Sequence, residues 1–179
     1  MPILRDVVLA MSTSAWLHKA GVGFPLSRRV SRRFVAGETL DEAIAVVKKL
    51  NAQGMQATFD QLGESVTTES AAREAKDGYL RALEAIAANQ VSSHVSVKLT
   101  QLGLDLSPNL CLDNMRQIVG KAKAIGTFVR VDMESSAHTQ ITLNLFKTLR
   151  DAMRFDNVGI VIQSYLYRSE EDMRALLAL

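Results

Sequence analysis

The chain has 179 residues, 47% of them apolar and 22% charged, with 10 glycines, 3 prolines and a formal net charge of +2. This excludes a disordered chain, a collagen-like repeat and a disulfide framework, and the near-neutral balance gives no electrostatic ground for a nucleic-acid partner. Cys111 is the single cysteine and has no partner for an internal disulfide, which suits a reducing cytoplasm. No stretch reaches the roughly 20 apolar residues of a membrane span. The apolar segment 7–17 follows Asp6 and precedes no small-residue cleavage site, so no signal peptide is expected.

In chain order, residues 1–36 form an N-terminal helical and basic segment. It holds an amphipathic pattern through Trp16, then Arg28, Arg29, Arg32 and Arg33 within seven residues. Such a run is either a solvated face or a contact for acidic lipid or phosphate. From Gly37 the pattern sharpens. Glu38 and Thr39 precede Asp41 and Glu42, a cap-type residue with acids in the first helical turn. Leu40, Ala43, Ile44, Val47 and Leu50 then recur at helical spacing until Gly54. Strands are expected at 55–59, 95–99, 128–133 and 158–163. Helices are expected at 71–89, 108–124 and 139–153, and a last one, capped by Ser169 and three acids, running to Leu179. Strands separated by helices of this length make βαβ units and a parallel sheet.

The polar residues closing the strands are Asp60, Lys98, Asp132 and Gln163, at intervals of 38, 34 and 31 residues. A (β/α)8 barrel of about 250 residues gives about 31 per unit, so residues 37–179 read as its first four units. No Gly-x-Gly-x-x-Gly follows any strand, which weakens the rival nucleotide-binding sheet.

Alternate strand residues share a face. One face collects Met55, Ala57, Phe59, Val95, Val97, Leu99, Val129, Val131, Met133, Ile160 and Ile162, suited to packing on helices. The other collects Gln56, Thr58, Asp60, His94, Ser96, Lys98, Arg130, Asp132, Val161 and Gln163. Parallel strands are usually apolar on both faces, so four strands sharing a polar one mark a site. Inward residues at strand C-termini line the mouth of such barrels, which singles out Lys98, Asp132 and Gln163. Asp132 reads as part of the mouth or as a structural counter-ion of Lys98, and Gln163 offers both donor and acceptor atoms. Asp60 and Glu64 are weaker candidates, since 60–63 reads equally as a βα turn. His18, His94 and His138 are expected to be structural, no spacing resembles a zinc site, and Cys111 reads as a packed residue. On these residues alone, a barrel enzyme for a small polar or anionic substrate remains open beside a Schiff-base lysine aldolase and a non-catalytic half-barrel that serves assembly.

At these residues the sequence resembles the proline dehydrogenase family. The matching stretches are Arg33-Phe34-Val35-Ala36-Gly37-Glu38-Thr39, Asp60-Gln61-Leu62-Gly63-Glu64, and Val95-Ser96-Val97-Lys98-Leu99-Thr100. They continue in Val129-Arg130-Val131-Asp132-Met133-Glu134 and Ile162-Gln163-Ser164-Tyr165-Leu166-Tyr167-Arg168. The resemblance implies a distorted barrel with FAD that oxidises L-proline to Δ1-pyrroline-5-carboxylate, the first step of degradation to L-glutamate. It implies electrons passed to a quinone by a cytoplasmic protein peripheral to the membrane. It places the substrate lysine on Lys98 and the strand-three aspartate on Asp132. Flavin contacts fall on Met133 and Gln163, and the acid whose ion pair closes the site falls on Glu64. The family continues into further strands with flavin-phosphate contacts and arginines for the substrate carboxylate, whereas this sequence stops in the helix after strand four. The expectation is an N-terminal part of a longer enzyme, inactive by itself.

Overall fold

The computed structural model describes residues 35–179. The helix expected through Trp16, the arginine run and His18 lie outside the described residues. The chain divides into two compact units, Met1–Val46 and Val47–Leu179.

In the first unit the described residues open helix α1 (Leu40–Ala52). Thr39 Oγ1 accepts the Glu42 N–H at 3.3 Å, and the Glu42 carboxylate accepts the Glu38 N–H at 2.9 Å. The first bond satisfies a donor that the first helical turn leaves over, and the second ties the chain just ahead of the helix back to it.

The second unit alternates strand and helix: β1 (Ala57–Asp60), α2 (Glu69–Asn89), β2 (Ser93–Val97), α3 (Pro108–Ala124), β3 (Val129–Val131), α4 (Thr139–Lys147), β4 (Val158–Ile160) and α5 (Ser169–Leu177). All strands are parallel in the order β1-β2-β3-β4, with Asp60, Ser96, Arg130 and Gly159 in register. This is the expected succession of βα units. Thr68 caps α2 by accepting the Ala71 N–H, and Ser107 caps α3 just ahead of Pro108 in its first turn. Asn51, at the end of α1, donates to the carbonyls of Met55 and Ser92 and accepts the Ser92 N–H. One amide thereby ties the starts of β1 and β2 together.

Val95, Val97, Val129 and Val131 are at most 1% exposed, as are Tyr79, Leu83, Met115, Ile118 and Leu149 from the helical segments. Fully burying such a side chain contributes about 1.5–3 kcal/mol, which sets this face as the core. The opposite face carries Thr58, Asp60, His94, Ser96, Lys98, Arg130 and Asp132, as the alternation requires. Its lower layer is structural. His94 Nε2 lies 2.9 Å from Thr58 Oγ1, and its ring meets Phe128 edge-on at 5.8 Å. Gly159 lies beneath that phenyl ring, where a Cβ would collide with it.

Three local expectations shift. The strands are shorter than the apolar runs, and Gln163 falls three residues beyond β4. The polar ends lie in loops past the strands, although Asp132 N–H still donates to the Val97 carbonyl and Val161 N–H to the Val131 carbonyl, both at 2.9 Å. The helix expected at 139–153 becomes π-helical over Thr148–Ala152, where Thr148 Oγ1 donates back to the Asn144 carbonyl at 3.0 Å. Ser169 does not cap α5. Its hydroxyl reaches the carbonyls of Gln163 and Leu166 at 2.6 and 2.7 Å and closes the turn that carries Gln163.

Candidate active site

The C-terminal ends of the strands bring Asp60, Lys98 and Asp132 to one edge of the sheet. Lys98 Nζ pairs with Asp60 Oδ2 at 3.0 Å, with side chains 22% and 37% exposed. Burial pulls the Lys98 pKa down, but the hydrogen bond and charge of Asp60, helped by Asp132 and Glu64, outweigh it and leave the pKa above its ordinary value. Lys98 is therefore a fixed cation.

This corrects the expected pairing of Lys98 with Asp132. Asp132 Oδ1 instead accepts the Ser96 hydroxyl at 2.6 Å and acts on Lys98 through space. The register explains the exchange. Ser96 sits opposite Asp60 on one side and Arg130 on the other. Lys98, two residues further along, leans back one layer to Asp60, and Asp132 leans back to Ser96.

Gln163 donates Nε2 to the Met133 carbonyl at 2.8 Å, so the turn after β4 is latched to the end of β3. Its Oε1 is buried with no donor to meet it. Met133 is 6% exposed. Glu64 lies on the exposed loop after β1, from which its charge reaches both Lys98 and Glu134.

The alternation did not single out the layer above. Thr100, 3% exposed, donates its hydroxyl to Glu134 Oε1 at 3.0 Å. Burial raises the Glu134 pKa, opposed by the bonds from Thr100 and the charge of His138. The signal was present in the sequence: Thr100 and Glu134 continue the β2–β3 register past the strand ends.

The remaining candidates are structural. Burial and then Arg130 lower the His94 pKa, so it stays neutral. His138 is clamped between Asp105 Oδ1 at 2.7 Å and Ser135 Oγ at 2.8 Å. The buried Cys111 thiol is pushed up to about 12 by burial and by nearby carboxylates, so it is no nucleophile at neutral pH.

A family model described as proline dehydrogenase matches residues 43–179. Proline dehydrogenase 1 of Bacillus subtilis (strain 168) is 40% identical over 174 residues, covering 97% of this chain and 57% of the relative. The proline dehydrogenase of Deinococcus radiodurans is 37% identical over 150 residues, covering 82% and 48%. The chain spans about half the length of these relatives. Among solved structures, proline utilization A of Bdellovibrio bacteriovorus superimposes with a TM-score of 0.76 at 27% identity, covering 85% of this chain and 19% of that one. The four parallel βα units are accordingly those of a (β/α)8 barrel, and the chain belongs to the proline dehydrogenase family.

Proposed function

We propose that the protein carrying this chain binds FAD and oxidises L-proline to Δ1-pyrroline-5-carboxylate, the first step towards L-glutamate. The observation that carries the reading is Lys98, a cation held by Asp60 at the mouth of the sheet beside Asp132 and Glu64. A charged ammonium is what a small carboxylate substrate needs. Lys98 pairs with the proline carboxylate, while Asp60 fixes its position. Asp132, oriented by Ser96, lines the substrate side, and Glu64 closes the site from the loop above.

The residues fit a flavin. A buried amide oxygen without a donor costs about 1–3 kcal/mol, and the ring edge of an oxidised flavin offers one N–H donor. Gln163 would hold that edge through Oε1, its other end fixed to the Met133 carbonyl; the Met133 side chain is itself buried. Bound flavin supplies the acceptor for the hydride leaving the ring carbon beside the proline nitrogen. The chain's own groups bind and orient the substrate and keep water from it.

The direction of the Lys98 shift speaks against a Schiff-base aldolase, whose lysine needs a lowered pKa. Family membership likewise favours an enzyme over a non-catalytic assembly module. We further place the protein in the cytoplasm, meeting a membrane at its surface to pass electrons to a quinone. This is compatible with the free, buried Cys111 and with no described helix being long and apolar enough to cross a membrane. The test is flavin absorbance in the full-length protein. Bleaching by L-proline and recovery with a quinone are expected. A proline-insensitive flavin, or borohydride trapping of a carbonyl compound on Lys98, would overturn the reading.

A further inference from the structure

The loop joining β1 to α2 is pinned immediately after Glu64. Two consecutive N–H groups of the loop go to one residue of the next βα loop. Thr100 Oγ1 accepts the Ser65 N–H at 3.1 Å, and the Thr100 carbonyl accepts the Val66 N–H at 3.3 Å. Ser65 sits at φ +52, a left-handed conformation that a serine holds only when its surroundings impose it. On the other side of Glu64, Gly63 has φ +144 and lies so close to Gln101 that a Cβ would stand 2.7 Å from its Nε2. Glu64 is thus exposed between a glycine packed closely on Gln101 and a pair of backbone bonds to Thr100.

A hydroxyl has one proton to give. For Thr100 Oγ1 to accept from Ser65, its own proton must go elsewhere. It goes to Glu134 Oε1 at 3.0 Å, and the same carboxylate also accepts the Thr100 N–H at 3.3 Å. An ionised carboxylate only accepts, so Glu134 fixes the direction of the hydroxyl and leaves its lone pair facing Ser65. The loops after β1, β2 and β3 are joined in one directed chain, Ser65 to Thr100 to Glu134.

We propose that Thr100, with its proton directed by Glu134, is a positioning residue that holds Glu64 where its carboxylate can close the site. The inference rests on the reading of Glu64 as the closing carboxylate. Neither Thr100 nor Glu134 touches the substrate. Loosening the loop weakens retention of proline and leaves the oxidation step itself alone.

The test uses the full-length flavin-loaded enzyme with Thr100→Val, Thr100→Ser, Glu64→Ala and the double variant Thr100→Val with Glu64→Ala. Thr100→Val keeps the side-chain shape and removes the hydroxyl. It should raise KM for L-proline about tenfold with kcat within about twofold, the pattern of lost binding rather than lost chemistry. Thr100→Ser should restore KM. In the Glu64→Ala background Thr100→Val should add less than about twofold, because both act through one carboxylate. Independently of turnover, hydrogen exchange over residues 60–66 should speed up in Thr100→Val and return to the wild-type rate in Thr100→Ser.

If Thr100→Val does not fold, Glu134→Gln carries the test, since a neutral amide holds the hydroxyl less firmly. It should raise KM about threefold with Glu64 present and leave it unchanged without it. An unchanged KM in Thr100→Val, or in Glu134→Gln, while Glu64→Ala raises it overturns the positioning role. A rise of equal size in both Glu64 backgrounds overturns it as well. No KM effect of Glu64→Ala instead removes the closing role of Glu64, and the proposal with it.

Discussion

Replacing Asp60 by asparagine removes the charge that holds Lys98 while keeping the shape of the side chain. The Nζ–Oδ2 distance is 3.0 Å, with the lysine 22% and the aspartate 37% exposed. Exposed ion pairs contribute about 0.2–1 kcal/mol, and hydrogen bonds to charged groups about 1.5–3 kcal/mol. A half-sheltered pair falls between, at about 1 kcal/mol. Asp60→Asn should therefore lower kcat/KM for L-proline about fivefold, at about 1.4 kcal/mol per tenfold. Lys98→Ala removes the cation itself and should cost roughly tenfold to a hundredfold. Once Lys98 is alanine, Asp60→Asn should cost almost nothing more, because its effect passes through the lysine. Asp132→Asn should also reduce activity, but its coupling to Lys98 should be the smaller, since Ser96 and not Lys98 holds that carboxylate. Steady-state kinetics on the flavin-loaded enzyme give both double-mutant cycles. A stronger coupling of Lys98 to Asp132 than to Asp60, or a full fivefold loss from Asp60→Asn in the Lys98→Ala background, would show that Asp60 does not act by holding Lys98.

Three further outcomes are expected. Gln163→Leu removes the amide assigned to the flavin edge, so the flavin midpoint potential should shift while flavin content is retained; a potential equal to wild type would end that assignment. The raised Glu134 pKa means that the folded state holds this proton more tightly than the unfolded chain, so the stability linked to it is present at acid pH and lost as pH rises from about 4.5 through the folded value. Relative to Glu134→Gln, the wild type should therefore gain thermal stability as pH falls from 7 towards 4, and parallel Tm profiles would contradict this. Gly159→Ala brings a methyl group against the tip of the partly exposed Phe128 ring, which must swing off His94 and lose that edge contact, at a cost of about 0.5–1.5 kcal/mol, read as a lower Tm with the sheet retained by circular dichroism.

How far the sequence was legible depends on what each residue answers to. Strand and helix order followed from apolar periodicity and the caps, because burial is decided within a few residues of sequence. The polar face of the sheet followed from strict alternation, which held at Ser96, Lys98 and Asp132. The partner of Lys98 did not follow. Asp60 and Asp132 both flank it, and only the register and the lean of each side chain decide which carboxylate it reaches. Thr100 and Glu134 escaped because the alternation was followed only to the strand ends, although the β2–β3 offset continues one layer further. Ser169 resembled a helix cap, but its hydroxyl found two closer carbonyls, a competition among local acceptors that residue type alone does not decide.

The central claim is that Lys98 reads the carboxylate of the substrate. The most direct measurement is the ratio of kcat/KM for L-proline to that for L-prolinamide, in which the carboxylate is replaced by a neutral amide, taken in the wild type and in Lys98→Ala. The wild type should strongly prefer L-proline, and the ratio should fall roughly tenfold to a hundredfold in the variant. A ratio unchanged by the substitution would contradict it.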